Sequence, residues 1–155
     1  MKQKTVIHLA LIVVVYAIFF GLIYMMTTAW LQALNVTPKE GEGADYRAAF
    51  QKWALIVMGV SLFATIVWYA LAEWSFRVAI PVVRSKRWIW GLGFAVVILG
   101  SFAAEFFGPK ASLNGYVPTL FYFVGGAGFY YLATALFSPV SYKYTPPCAS
   151  LLRFI

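Results

Sequence analysis

Long uninterrupted apolar stretches set the rhythm of this chain. From Val6 to Met26 the residues read VIHLALIVVVYAIFFGLIYMM, without a Lys, Arg, Asp or Glu on any face. A second stretch runs from Phe50 to about Leu71, a third from Trp88 to Phe107 and a fourth from Thr119 to Phe137. Each approaches the roughly 20 residues a helix needs to cross the hydrocarbon core of a bilayer. Lipid offers the backbone no hydrogen bonds, so a spanning segment must be a helix or part of a closed barrel. Barrel strands would alternate polar and apolar residues over about ten positions, and these runs do not alternate. The expected fold is therefore an all-α integral membrane protein. One four-helix transmembrane domain occupies 1–137, with spans at about 6–28, 50–72, 88–107 and 119–137, and a short proline-containing tail follows over 138–155.

The polar breaks between the runs carry their own signals. Pro38, Gly41 and Gly43 mark a loop after the first run, and Asp45 is placed to cap the start of the second helix. Pro81 interrupts the segment after the second run. Gly108-Pro109 stops the third. Asn114-Gly115 suits a tight turn with positive φ, Pro118 can open the last helix at its first position, and Ser138-Pro139 halts it. Trp53, Trp68, Tyr69, Trp74, Trp88 and Trp90 fall near run ends, where rings with one apolar and one polar edge favour the headgroup level. The first run exceeds the 7 to 15 apolar residues of a signal-peptide core and lacks a small-residue cleavage pattern, so it is expected to be a retained span.

Composition agrees with this picture and charge gives it a direction. The 155 residues are 63% hydrophobic and 11% charged, against roughly 25% charged in soluble domains. Arg84, Lys86 and Arg87, with Arg77, crowd the connector between the second and third runs. Each would cost about 2.5 to 3.5 kcal/mol at the centre of a membrane helix, so these residues set the topology. Placing the connector in the cytoplasm puts Lys2, Lys4, Arg77, Arg84, Lys86, Arg87, Lys143 and Arg153 inside, leaving Lys39, Arg47, Lys52 and Lys110 outside. That asymmetry follows the positive-inside rule and places both termini in the cytoplasm, with a bacterial inner (plasma) membrane as the expected location. Glu73 and Arg77, four apart, are expected to pair on one helix face. The net charge of +7 does not imply nucleic acid, because the cations flank spans instead of forming a basic, aromatic-interleaved face.

Candidate chemistry is sparse. His8 is the single histidine and the one candidate for haem or metal binding; zinc would need three or four ligands, so no metal site is expected. The lone Cys148 rules out an internal disulfide framework, and as a juxtamembrane cysteine it is a candidate for acylation. Asn35-Val36-Thr37 matches the glycosylation acceptor pattern. Glu105 is the notable carboxylate, since acids in membrane spans often mark ion or proton paths. Its position just before Gly108-Pro109 puts it near the outer boundary, within reach of Lys110. The interior polar groups are chiefly Ser61, Thr65, Ser101 and Thr134. Transporters place ionisable groups or broken helices near the midplane; the runs show neither, so no conducting path through the monomer is expected. What they do carry is small residues, Gly91 and Gly93, then Gly125, Gly126 and Gly128, which let membrane helices approach closely.

These features point to a non-catalytic accessory subunit of a larger membrane assembly. It would pack through small-residue faces against other integral membrane subunits or copies of itself, surrounded by membrane lipid and with lipid bound in place of any cofactor. Two other classes remain: a small oligomeric channel or transporter with Glu105 at a shared pathway, and a haem- or metal-binding redox subunit using His8.

Overall fold

The computed structural model describes residues 3–38, 45–75 and 87–137. Helix α1 spans Gln3–Ala33, α2 spans Tyr46–Ser75 and α3 spans Arg87–Phe107. The last helical segment is composite: α4, Tyr116–Phe123, runs through a π-helical stretch, Val124–Gly128, into α5, Phe129–Phe137. Among the described residues, four stretches are long and apolar enough to cross a membrane: Val6–Ala33, Tyr46–Leu71, Trp88–Phe107 and Tyr116–Phe137. At 1.5 Å per residue α1 is about 46 Å long, well beyond the roughly 30 Å of a hydrocarbon core.

The all-helical expectation gains one addition. Strand β1, Thr37–Pro38, pairs antiparallel with β2, Ala111–Leu113, and ties together the two loops at one end of the bundle. Helix ends also differ from the sequence boundaries for local reasons. α1 continues past position 28 because Trp30 and Leu31 keep the apolar run going, and it stops at Asn35, which takes φ 50°. There the Val36 amide bonds Leu31 O at 2.9 Å and the Asn35 amide bonds Gln32 O at 3.1 Å, the Schellman arrangement with Asn in the left-handed position. The Asn35-Val36-Thr37 pattern thus has a structural reading as a helix stop. Asp45 does stand immediately before α2, its carbonyl accepting from Ala49 N at 2.9 Å. In the Asn114-Gly115 turn, Asn114 takes the positive φ, 54°, while Gly115 is the right-handed cap residue of α4. Pro118 falls at the third position of α4, not the first. It is tolerated there because first-turn amides have no helical acceptor in any case.

α2 packs against all the other helices, and α1 and α3 each lie on α2 and on the fourth candidate span but hardly on one another. One core cluster holds Ile12, Tyr16, Phe50, Val57, Met58 and Tyr122; a second, built on Trp68, Trp90, Val97 and Tyr130, fills the α2/α3/α5 junction. On α1 the buried positions Ile12, Tyr16, Ile23 and Thr27 form one stripe. The rest of that helix exposes Val14, Ile18, Leu22 and Met25. α3 likewise turns Leu92, Val96, Leu99, Phe102 and Phe106 outward. Helices apolar on the open side as well as the packed side are the pattern of proteins whose solvent is lipid.

Candidate functional site

Four buried polar side chains, Tyr16, Ser61, Thr65 and Ser101, gather around the π-helical stretch. A π turn removes a carbonyl from the regular hydrogen-bond ladder, and such turns recur at functional sites. Here neighbouring helices supply hydroxyls to one carbonyl in that stretch and one just before it. Ser61 of α2 donates to Gly126 O at 2.9 Å, and Ser101 of α3 donates to Tyr122 O at 3.1 Å. Ser101 also reaches Val97 O at 3.1 Å in its own helix, and Thr65 donates to Ser61 O at 2.8 Å.

Tyr16 of α1 completes the cluster, its hydroxyl 2.8 Å from Ser61 Oγ and 3.0 Å from Thr65 Oγ1. Because Ser61 and Thr65 both donate to backbone carbonyls, Tyr16 is the donor to them and shares one proton between two oxygens. The hydroxyl protons therefore end on carbonyls or on already donating hydroxyls. Such a network joins α1, α2, α3 and the fourth helix and has no free proton to pass along. Tyr16, Ser61, Thr65 and Ser101 are all buried, where an unmet hydroxyl would be costly.

The five glycines expected at helix contacts separate by position. At Gly126 an added Cβ would lie 2.6 Å from Val57 Cγ1 and 2.9 Å from Ser101 Oγ, so glycine is required for the fit. At Gly93 it would overlap the Tyr130 hydroxyl. That hydroxyl donates to Trp90 O at 3.1 Å, while Trp90 Nε1 donates to Thr134 Oγ1 at 2.9 Å, a second polar clasp between α3 and α5. Gly125 is looser, with Met58 Sδ at 3.7 Å from the added atom. Gly128 would meet only Val124 Cγ1, one turn back in its own helix, at 3.8 Å. At Gly91 nothing described comes within 4 Å.

The two ionisable candidates sit toward opposite ends of the bundle. His8 Nδ1 is 3.0 Å from the Tyr69 hydroxyl, and the two rings meet edge to face with centroids 6.1 Å apart. Glu105, 35% exposed, accepts from Thr119 Oγ1 and lies 3.8 Å from Lys110 Nζ, which also donates to the Glu105 carbonyl. The carboxylate thus braces the α3 end against α4. Among the described residues no group of three His, Cys, Asp or Glu is arranged to hold a metal ion. Arg77, Arg84, Lys86 and Cys148 lie outside the described residues, and so do the side chains of Glu73 and Arg87.

Sequence reading missed Tyr16 and the π-helical stretch. The available signals were a tyrosine within an apolar run, Ser61 and Thr65 spaced four apart, and three glycines within four positions. Compared with family models, curated proteins and solved structures, the chain gives no significant match to any of them.

Proposed function

We propose that this chain is an integral membrane accessory subunit, without catalytic chemistry of its own, that packs through open helix faces against other membrane subunits or further copies of itself. Its four apolar helices would cross a bacterial inner membrane with both termini cytoplasmic, a direction that rests on the excess of Lys and Arg assigned inside. The observation that carries the packing role is a set of glycines without an internal purpose. At Gly21, Gly59 and Gly91 an added Cβ would meet no described atom within 4 Å. Glycine weakens a helix by about 1 kcal/mol relative to alanine in water. Where the bundle itself gives no steric reason for it, close approach of an outside helix supplies one. The bundle interior fits a scaffold, since its hydroxyls are engaged in holding helices together and Glu105 is held by Thr119 and Lys110.

Gly59→Leu and Gly91→Leu test the proposal in mild detergent. Co-purifying subunits, or the homo-oligomer, should be lost while the thermal melt of the isolated chain stays unchanged. Retained association in both variants refutes the packing role. A reporter fused at Lys86 should read cytoplasmic, and a periplasmic signal there overturns the orientation alone.

A further inference from the structure

A groove of about 230 Å³ runs between α2 and α3 on the outside of the bundle. Phe63 and Val67 of α2 form one wall and Leu92 and Val96 of α3 the other, and all four are exposed. Ala64, Gly93 and the buried Tyr130 make its inner side. A side chain at Gly93 would run into the Tyr130 hydroxyl, so the inner side stays shallow there. None of the lining side chains is charged.

The shape decides what kind of group fits. Along α2 the lining positions run from Phe63 to Leu71, about 12 Å at 1.5 Å per residue. A helix about 10 to 12 Å across would take on the order of 1,000 Å³ over that length, several times the volume of the groove. A single hydrocarbon chain is slender enough, asks no hydrogen bond of the lining, and is the group a bilayer supplies.

Charge distinguishes one end of the groove. Leu71 and Ile89 line the end where the chain passes from α2 to α3, and Trp88, exposed, stands just before Ile89. An indole at the end of a span favours the headgroup level. Over positions 76–87 the sequence carries Arg77, Arg84, Lys86 and Arg87 and no Asp or Glu. Clusters of four or more Lys and Arg beside a span recognise anionic lipid headgroups.

We propose that the groove holds one acyl chain of an anionic phospholipid, with the phosphate at the cation-rich end. The narrow apolar walls select the chain, and the charge selects the headgroup. The proposal requires the apolar helices to lie in a bilayer, but it does not require the accessory-subunit reading.

The test is native mass spectrometry of the purified full chain, titrated in detergent with dioleoyl phosphatidylglycerol or dioleoyl phosphatidylcholine, which share their chains and differ in headgroup charge. One phosphatidylglycerol per chain should be retained at about tenfold lower lipid concentration than phosphatidylcholine. Val67→Trp and Val96→Trp add bulk to the groove from its exposed walls, so the lipid-free melt should hold while phosphatidylglycerol retention falls about tenfold. Arg84→Gln combined with Lys86→Gln should cut the preference to about threefold and leave phosphatidylcholine retention unchanged. Equal retention of the two lipids by the parent chain overturns the proposal, as does retention that both wall variants leave intact or a preference that the double variant does not reduce. A parent dimer that both wall variants dissociate, with lipid retention unmoved, gives the groove to a second copy and overturns it too.

Discussion

Gly126→Ala should destabilise the protein although it adds a single methyl group to a helix. The new Cβ would stand 2.6 Å from Val57 Cγ1, 2.9 Å from Ser101 Oγ and 3.2 Å from Val97 Cγ1, all short of van der Waals contact. None of the three can step aside freely. Val57 and Val97 are β-branched with restricted rotamers, and Ser101 is held by bonds to Val97 O and Tyr122 O. The fourth helix must therefore back away from α2 and α3, stretching the Ser61 bond to Gly126 O. Overpacking of this kind costs about 1 to 3 kcal/mol, and a weakened buried hydrogen bond adds about 0.5 to 1.5. Better helix propensity returns at most about 1. The net loss of about 0.5 to 4.5 kcal/mol corresponds to a melt lowered by roughly 1 to 18 °C for a chain of this size. Gly125→Ala is the matched control, because its Cβ would meet Met58 Sδ at an ordinary 3.7 Å and its melt should stay level or rise. Thermal unfolding of both variants in the same detergent decides the matter. A Gly126→Ala melt at or above the parent would refute the claim that this glycine is there for helix approach.

Ser61→Ala removes the donor to Gly126 O and one acceptor of Tyr16, so a loss of about 1 to 3 kcal/mol is expected in reversible unfolding. Tyr16→Phe should cost about 1 kcal/mol, and the double variant should lose less than the sum, since both changes break one shared bond; strict additivity would disprove the coupling. Glu105→Gln keeps an acceptor for Thr119 and gives up a part-exposed ion pair with Lys110, so stability should fall by less than about 1 kcal/mol. A larger fall would show that the charge itself braces α3 against α4.

The candidate spans were legible because each is one continuous apolar run, a signal that depends on no partner. Their ends were less so. α1 overruns its expected end because the stop depends on Asn35 adopting a left-handed conformation, which many asparagines in loops do not. The glycines show the limit most clearly. Gly91 and Gly93 sit two apart in the same helix, and only Gly93 lies under the Tyr130 hydroxyl. Which of the two meets a neighbour depends on how α3 is rotated against α5. The π-helical stretch was invisible for the same reason, since it stands where Ser61, distant in sequence, brings a hydroxyl to the Gly126 carbonyl and Ser101 one to the Tyr122 carbonyl just before it. Ala133 looks like any alanine in an apolar run, yet it is buried at 5% exposure in the core, a placement that only the packing of the fourth helix decides.

The Asn114 side chain donates to Leu34 O at 2.9 Å and to Asn35 O at 3.3 Å, beside the ribbon formed by Thr37–Pro38 and Ala111–Leu113. These bonds fasten the end of the first helix with residues that a ribosome adds only after the third helix is complete. Until then the nascent first helix has α2 as its main neighbour, and its tyrosine-bearing stripe awaits the aromatic face of a helix not yet made. Phe129 meets both Tyr16 and Phe19 from that later helix. The first of these helices to be synthesised is thus among the last to be locked in place.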